Sequence, residues 1–348
     1  MTIAQLESQP FNASAAGPAP SLDRFVSTIT AYQSTSMLQA AIELDLFTII
    51  GDGDSTVTKI SARIQGSERG VRMLCDCLVI AGFLTKSENR YGLTIDTHTF
   101  LDRKSRAYSG DASRFMASDV LIDSFRNLAS VVRSGHPIAD TPFPEIEHPA
   151  WVEFARSMST LMSLPAQQCA KLLATSSKTK ILDVAAGHGI FGISIAQSNP
   201  QAEIVALDWP SVLTVAAENA AKFGVRDRYT LLPGDALEIE FGSGYDVVLV
   251  PNLLHHWGRE TIGHFLKKVH KSLIPGGRIA IVEFVPNDDR VSPPLAARFA
   301  LNMLALTKEG DAYTGSEYRT MLEEATFPHC EFYPLLPTPM TAIVASRR

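Results

Sequence analysis

The residues best placed to handle a ligand stand where apolar runs end. In Lys180–Gly192, KILDVAAGHGIFG, Ile181 and Leu182 open a run that reads as a buried strand, and Asp183 interrupts it. Gly187, Gly189 and Gly192 then supply a G-x-G-x-x-G turn. Ile190, Phe191, Ile193, Ile195 and Ala196 follow at helix-compatible spacing. Glycines at such a turn let the backbone pass close to a nucleotide-like ligand, and the free N–H groups of a helix start face it. Glu203–Asp208 reads as a second strand ending in an acid, at about the spacing where an acid grips ribose hydroxyls. Gly234-Asp235-Ala236-Leu237 follows a third run, and Asn252 with His255-His256-Trp257 follows a fourth. A histidine there can take a proton near neutral pH.

These positions need a scaffold, and from Thr179 onward strand and helix patterns alternate. The expected strands are Lys180–Val184, Glu203–Leu207, Tyr229–Pro233, Tyr245–Pro251 and Arg278–Phe284. Helices are expected at Ser211–Phe223 and Thr261–Leu273, with Gly276-Gly277 after Pro275 as a helix stop. Such alternation implies a parallel sheet covered on both faces. Cys330–Leu336 and Thr341–Ser346, joined by LLPTPM, read as a closing antiparallel hairpin. Ligands in these sheets bind beyond the carboxyl ends of the strands. Asp183, Gly187, Asp208, Asp235 and Asn252 are therefore expected to border one crevice.

Ahead of this region, Leu22, Phe25, Val26, Ile29 and Tyr32 recur at helical spacing, as do Leu38, Ala41, Ile42 and Leu46. Gly51–Asp54 reads as a turn and Thr58–Ile64 as a short helix. Glu68–Phe83 reads as a longer one with Val71, Leu74, Leu78 and Phe83 as its core stripe. Phe83–Thr85 and Tyr91–Thr94 flank the polar turn Lys86–Arg90 like a two-stranded wing. A winged helix raises the question of DNA binding. The helix in the reading position is mostly apolar, with Arg69, Arg72 and Asp76 as its main charges, whereas a major-groove helix presents several Arg, Lys, Asn or Gln on one face. Packing on another subunit is the better reading. Tyr108–Leu173 is mostly helical with a proline-rich break at Ser134–Pro149. Beyond the break, Trp151, Phe154, Met158, Leu161 and Met162 form a stripe that suits either core packing or a pocket for a flat organic molecule.

With 348 residues, two domains are expected, and 45% hydrophobic content is ample for their cores. A net charge of −6 argues against a nucleic-acid carrier. No apolar run is long enough to span a bilayer. Residues 1–20 read as a disordered leader without signal-peptide features. The four cysteines are sparse, and Cys75 and Cys77 point to different faces of a helix; a cytoplasmic protein with reduced thiols is the simplest reading. No His, Asp or Glu cluster has metal-binding spacing.

Taken in order, LDVAAGHG, VALDWP, GDAL, LLHHW and PGGRIAIVEF make the chain resemble the class I S-adenosylmethionine-dependent methyltransferases. Its closest likeness is to the dimeric small-molecule O-methyltransferases of the caffeate, hydroxyindole and polyketide type. The resemblance implies an α/β fold: a Rossmann-like, mostly parallel seven-stranded sheet with helices on both faces, preceded by an α-helical winged-helix dimerisation domain. The corresponding division is a leader at 1–20, a dimerisation domain at 21–105, a helical linker and pocket segment at 106–175, and a cofactor-binding methyltransferase domain at 176–348. It further implies S-adenosyl-L-methionine as cofactor, a small-molecule acceptor, a homodimer, and no nucleic-acid or membrane partner. Asp183, Gly187 and Gly189 would hold the methionine part, Asp208 the ribose hydroxyls, and Asp235 with Ala236 the adenine end, with Trp209 and Asn252 completing the set. His255 matches the family's catalytic base and Glu283 the carboxylate that orients it. The family's usual His-Asp-Trp is His255-His256-Trp257 here. Its second orienting carboxylate has no clean match; Glu309 and Asp311 are the candidates, and Asp311 is taken as the third catalytic residue. Phe154, Met158, Met162, His256, Phe299 and Met303 are expected to line the acceptor pocket.

Two other classes share parts of this pattern. A nicotinamide-dependent dehydrogenase also uses G-x-G-x-x-G and a ribose-binding acid, but its first strand is normally apolar where Asp183 stands. A DNA-binding regulator rests on the winged helix alone. Among methyltransferases, oxygen, sulfur, nitrogen and carbon acceptors all stay open.

Overall fold

The computed structural model describes residues 21–138 and 149–348; the leader and most of the proline-rich break lie outside the described residues. The chain divides after Thr94 into two compact units. In the first, helices α1 (Asp23–Ile29), α2 (Ala31–Glu43), α3 (Leu46–Gly51), α4 (Val57–Ile64) and α5 (Glu68–Ile80) precede a hairpin of β1 (Leu84–Ser87) and β2 (Arg90–Leu93). Ser67 starts α5 by accepting the Gly70 N–H at 3.1 Å. Val71, Cys75 and Leu78 turn inward from α5. The helix stops three residues short of the expected Phe83, because Gly82 takes a φ of +79° and turns the chain into the hairpin. The hairpin turn is also tighter than expected, with Lys86 and Arg90 inside the strands. Leu22 at the start of α1, Phe25, Val26 and Ile29 on α1 and Tyr32 on α2 are each at least 50% exposed in the single chain.

The second unit opens with α6 (Ile95–Phe100), α7 (Ala112–Met116), α8 (Asp119–Arg126), α9 (Leu128–Ser134), α10 (Pro149–Met158) and α11 (Ser163–Leu172). A seven-stranded sheet follows: β3 (Thr179–Val184), β4 (Ala202–Asp208), β5 (Tyr229–Pro233), β6 (Tyr245–Pro251), β7 (Leu273–Glu283), β8 (Cys330–Pro334) and β9 (Thr341–Ser346). Its order is β5-β4-β3-β6-β7-β9-β8. The first five of these neighbours run parallel; β9 is antiparallel to both β7 and β8. Chain order reverses between β3 and β6, so a crevice opens beyond their carboxyl ends.

Strand residues alternate between two cores. Ile181, Ile204 and Val247 pack with α11, α12 (Ile190–Ser198) and α13 (Pro210–Lys222) on one face. Leu182, Val184 and Val248 pack with α14 (Arg259–Ser272) and α16 (Gly315–Glu324) on the other. Helix α15 (Pro294–Leu306) lies between β7 and α16 in sequence. Strand β7 begins five residues earlier than expected. Helix α14 ends at Ser272, Leu273 pairs at once with Tyr245, and the register shifts before Val247 pairs with Arg278. Pro275-Gly276-Gly277 thus forms an irregularity within the strand rather than a helix stop, with Gly276 at a φ of +77°.

Candidate active site

The glycine turn sits at the carboxyl end of β3, and each glycine has a separate reason. Gly187 and Gly189 lie in the left-handed region, at φ +56° and +75°. Gly192 brings α12 against the sheet: a Cβ there would fall 2.8 Å from Asp183 Oδ2 and 2.8 Å from Ile204 Cγ2. Asp183 shares a face of β3 with Ile181 and so points at α12. It is fully buried, and its Oδ2 accepts the Gly192 N–H at 3.0 Å. Burial pushes its carboxyl up to about 8. One strand along, Asp208 ends β4. Its Oδ2 accepts the Gly187 N–H at 2.8 Å and its Oδ1 the Trp209 N–H at 2.7 Å. Burial pushes this carboxyl up to about 6, with the two N–H donors pulling the other way. At the next strand end, Asp235 Oδ1 accepts the Leu237 N–H at 2.8 Å, and Ala236 is buried.

Two non-glycine residues at the ends of the central strands take left-handed conformations: Ala185 at φ +51° and Asn252 at φ +52°. Such strain clusters at ligand sites. Two buried oxygens beside them, Asp183 Oδ1 and Asn252 Oδ1, have no hydrogen-bond partner within the protein. Buried polar atoms left unpaired in this way are costly unless a ligand brings partners. A molecule carrying an ammonium group, ribose hydroxyls and a positive charge fits this acidic, acceptor-rich crevice.

Past Asn252 a single 3₁₀ turn, Leu254–His256, carries the histidine pair. His255 is 5% exposed and Glu283, at the end of the neighbouring strand β7, is fully buried. His255 Nδ1 lies 2.6 Å from Glu283 Oε2, and the His255 backbone N–H donates to Glu283 Oε1 at 3.3 Å. A buried carboxylate needs such donors. The contact assigns the proton of neutral His255 to Nδ1 and leaves Nε2 as the basic nitrogen. The edge of Phe299 meets the His255 ring at 4.8 Å, and Phe299 stacks on Phe284 at 4.1 Å. His256 lies 4.4 Å from His255, ring centre to ring centre. Burial, with His255 as a lesser cause, pushes His256 well below the usual histidine range, so its ring is neutral.

The acceptor-pocket expectations fall into two groups. Phe299 and His256 are brought to the His255 ring, and Met162 lies at Asn252, whose Nδ2 approaches its Sδ at 3.7 Å. Met303 is buried one turn beyond Phe299 on α15. Phe154 stands further off, its ring against Phe115 at 4.9 Å and Trp151 at 6.1 Å. Met158 packs on the core around α11 and α12. Trp151, read only as part of a stripe, is the link: its ring contacts Trp209 at 5.7 Å and His256 at 5.9 Å. The i, i+3 spacing to Phe154 signalled a shared face, but not that His256 lies on it.

Asp311, expected as the third catalytic residue, meets His255 through its backbone. Its carboxylate does not reach the His255 ring; it faces Arg290 at 3.4 Å and its own neighbour's N–H, that of Ala312, at 2.8 Å. What Asp311 gives His255 is a backbone N–H, donated to the His255 carbonyl at 3.1 Å. Glu309 instead lies against Gly258, where a Cβ would fall 2.6 Å from Glu309 Oε2. Among the described residues no three His, Cys, Asp or Glu side chains gather as a metal site, and no helix is long and apolar enough to cross a membrane.

Comparison with known proteins matches this architecture. The O-methyltransferase domain model covers residues 145–328 and the O-methyltransferase dimerisation domain model covers 26–103. The chain belongs to the O-methyltransferase family, enzymes whose methyl donor is S-adenosylmethionine. A candidate O-methyltransferase from Nostoc punctiforme PCC 73102 is 44% identical and superposes with a TM-score of 0.90, covering 94% of this chain and 100% of that one. The 3-hydroxy-5-methyl-1-naphthoate 3-O-methyltransferase of Streptomyces sahachiroi is 28% identical over 85% of this chain and 86% of its own. The L-tyrosine C(3)-methyltransferase of Streptomyces lavendulae is 29% identical over 83% of this chain and 82% of its own.

Proposed function

We propose that this protein methylates a hydroxyl group on an aromatic small molecule, with His255 as general base. The observation that carries the reading is the buried His255–Glu283 pair, 2.6 Å apart, at the strand ends beside the crevice. Bound S-adenosylmethionine supplies a methyl group on a positive sulfur, activated for in-line displacement. The protein's own residues do the rest. Asp183, the glycine turn, Asp208, Trp209, Asp235, Ala236 and Asn252 bind and orient the donor. His255 Nε2 takes the hydroxyl proton as the new oxygen–carbon bond forms and the sulfur–carbon bond breaks. Glu283 holds the Nδ1 proton and stabilises the imidazolium that results. Phe299, Met162 and the neutral His256 ring present a flat, largely apolar wall. Orientation of this kind supplies on the order of 7–11 kcal/mol, and general base catalysis about 10²–10⁴ in rate.

A ring-carbon acceptor is the second reading, favoured by the likeness to a tyrosine C-methyltransferase. The same base serves, because deprotonating a phenol raises electron density at the adjacent ring carbon. A screen over phenols, hydroxyindoles and thiols with isotopically labelled methyl donor, read by mass spectrometry and product NMR, separates these. A methyl ether supports the first reading and a new aryl–methyl carbon the second. Labelled product from thiols alone rules out both.

We further infer a cytoplasmic homodimer formed through the first unit. The exposed Leu22, Phe25, Ile29 and Tyr32 face and the match to a dimerisation domain support it.

A further inference from the structure

The 3₁₀ turn that carries His255 is gripped from two sides. Glu283 holds the ring and the backbone N–H, as described above. On the carbonyl side runs Thr307–Thr314, the segment between α15 and α16. Asp311 N–H donates to the His255 carbonyl at 3.1 Å, and Tyr313 OH donates to the Trp257 carbonyl at 2.6 Å. The segment lies so close that residue 310 has no room for a side chain. A Cβ on Gly310 would fall 2.2 Å from the His255 carbonyl oxygen, 2.5 Å from Thr307 Oγ1 and 3.0 Å from the His256 carbonyl carbon. Thr307 anchors the near end. Its hydroxyl donates to the Met303 carbonyl at 2.7 Å and accepts the Gly310 N–H at 3.0 Å. The far end is fixed where Thr314 and Glu317 form a reciprocal cap on α16. Glu317 also binds Arg290 at 2.6 Å and Arg259 at the start of α14.

We propose that Thr307–Thr314 is a backbone strap that positions His255, with Gly310 and Thr307 as its positioning residues. It does through a main-chain N–H what a second orienting carboxylate would do through a side chain. Gly310 lets the strap touch the turn, and the Thr307 hydroxyl fixes the height at which it touches. The exposed carboxylate of Asp311 is incidental to this role. The proposal rests on the reading of His255 as the base.

The test uses the full-length protein and five substitutions, with the most active phenol from the acceptor screen. Gly310→Ala and Thr307→Val are expected to lower kcat about tenfold or more, in line with the cost of small misplacements, while S-adenosylhomocysteine affinity stays within about twofold. Thr307→Ser, which keeps the hydroxyl, should restore turnover. Asp311→Asn keeps the backbone N–H that reaches the His255 carbonyl, so it should lower kcat less than Thr307→Val does. The ¹⁵N-histidine spectrum gives a readout that overall fold does not move: the His255 Nδ1 proton signal should shift or broaden in Gly310→Ala and Thr307→Val and return in Thr307→Ser. If Gly310→Ala does not fold, the two Thr307 variants decide. Wild-type turnover and an unmoved signal in Thr307→Val would overturn the strap. So would a loss in Asp311→Asn as large as that in His255→Gln, since the side chain would then be the orienting group. If His255→Gln itself turns over like wild type, the base assignment fails instead, and the NMR signal alone judges the strap.

Discussion

Asp208 and Asp183 are both buried acids, yet they should answer to different measurements. Asp208 bridges Gly187 and Trp209, so Asp208→Ala should loosen the glycine turn as well as remove the proposed ribose acceptor. Hydrogen bonds to a charged group contribute about 1.5–3 kcal/mol each, and calorimetric titration with S-adenosylhomocysteine should show affinity down by at least tenfold. An unchanged affinity would remove Asp208 from the cofactor site. Asp183 predicts a pH effect. Burial raises its carboxyl from 3.8 to about 8, so the folded protein holds a proton there that the unfolded chain has released. Its contribution to stability is full below about pH 4 and is lost as pH rises toward 8. Unliganded wild type should therefore lose Tm across that window relative to Asp183→Asn, which still accepts the Gly192 N–H. Parallel Tm curves for the two proteins would contradict this. Both acids were legible in the sequence because each ends or interrupts an apolar run. Which atoms of Asp311 face His255 was not legible, because a short polar loop gives no sign of it, and here it is the backbone N–H that does.

At the scale of elements, the glycine turn depends on how closely α12 meets β3 and β4. Gly192→Ala adds a methyl group 2.8 Å from both Asp183 Oδ2 and Ile204 Cγ2. Alanine returns about 1 kcal/mol of helix propensity, but overpacking costs about 1–3 kcal/mol. Net destabilisation is expected, seen as a lower urea midpoint at unchanged slope; a higher midpoint would mean that the helix shifts freely. The strands were legible wherever both faces are buried, as in Tyr245–Pro251, because nearly every residue is then apolar. The start of β7 was not, since Pro275-Gly276-Gly277 carries the same local signal whether it ends a helix or kinks a strand. The histidine-bearing turn was visible as a position, but the strap over it was not. Thr307, Gly310 and Tyr313 act through contacts that only the packing of α15 and α16 creates.

For the whole molecule, the sheet order puts the crevice proposed for the cofactor and the His255 turn on neighbouring strand ends. The first unit contributes an apolar face that a lone copy leaves in water. Phe25→Asp combined with Ile29→Asp should convert a dimer into monomers by light scattering, and a wild-type monomer at micromolar concentration would defeat the dimer reading. The alternation of strands and helices and the order of motifs made this architecture readable. The identity of the acceptor was not, because the residues proposed to line its pocket, Met162, His256 and Phe299, are far apart in sequence. The central claim is that His255 removes the acceptor's proton. The most direct measurement is the single-turnover methyl-transfer rate of wild type and His255→Gln across phenols of graded acidity. The rate of the variant should fall about 10²–10⁴ on weakly acidic phenols and converge on wild type as the phenols ionise unaided. Equal rates for the two proteins across the whole series would contradict a base role for His255.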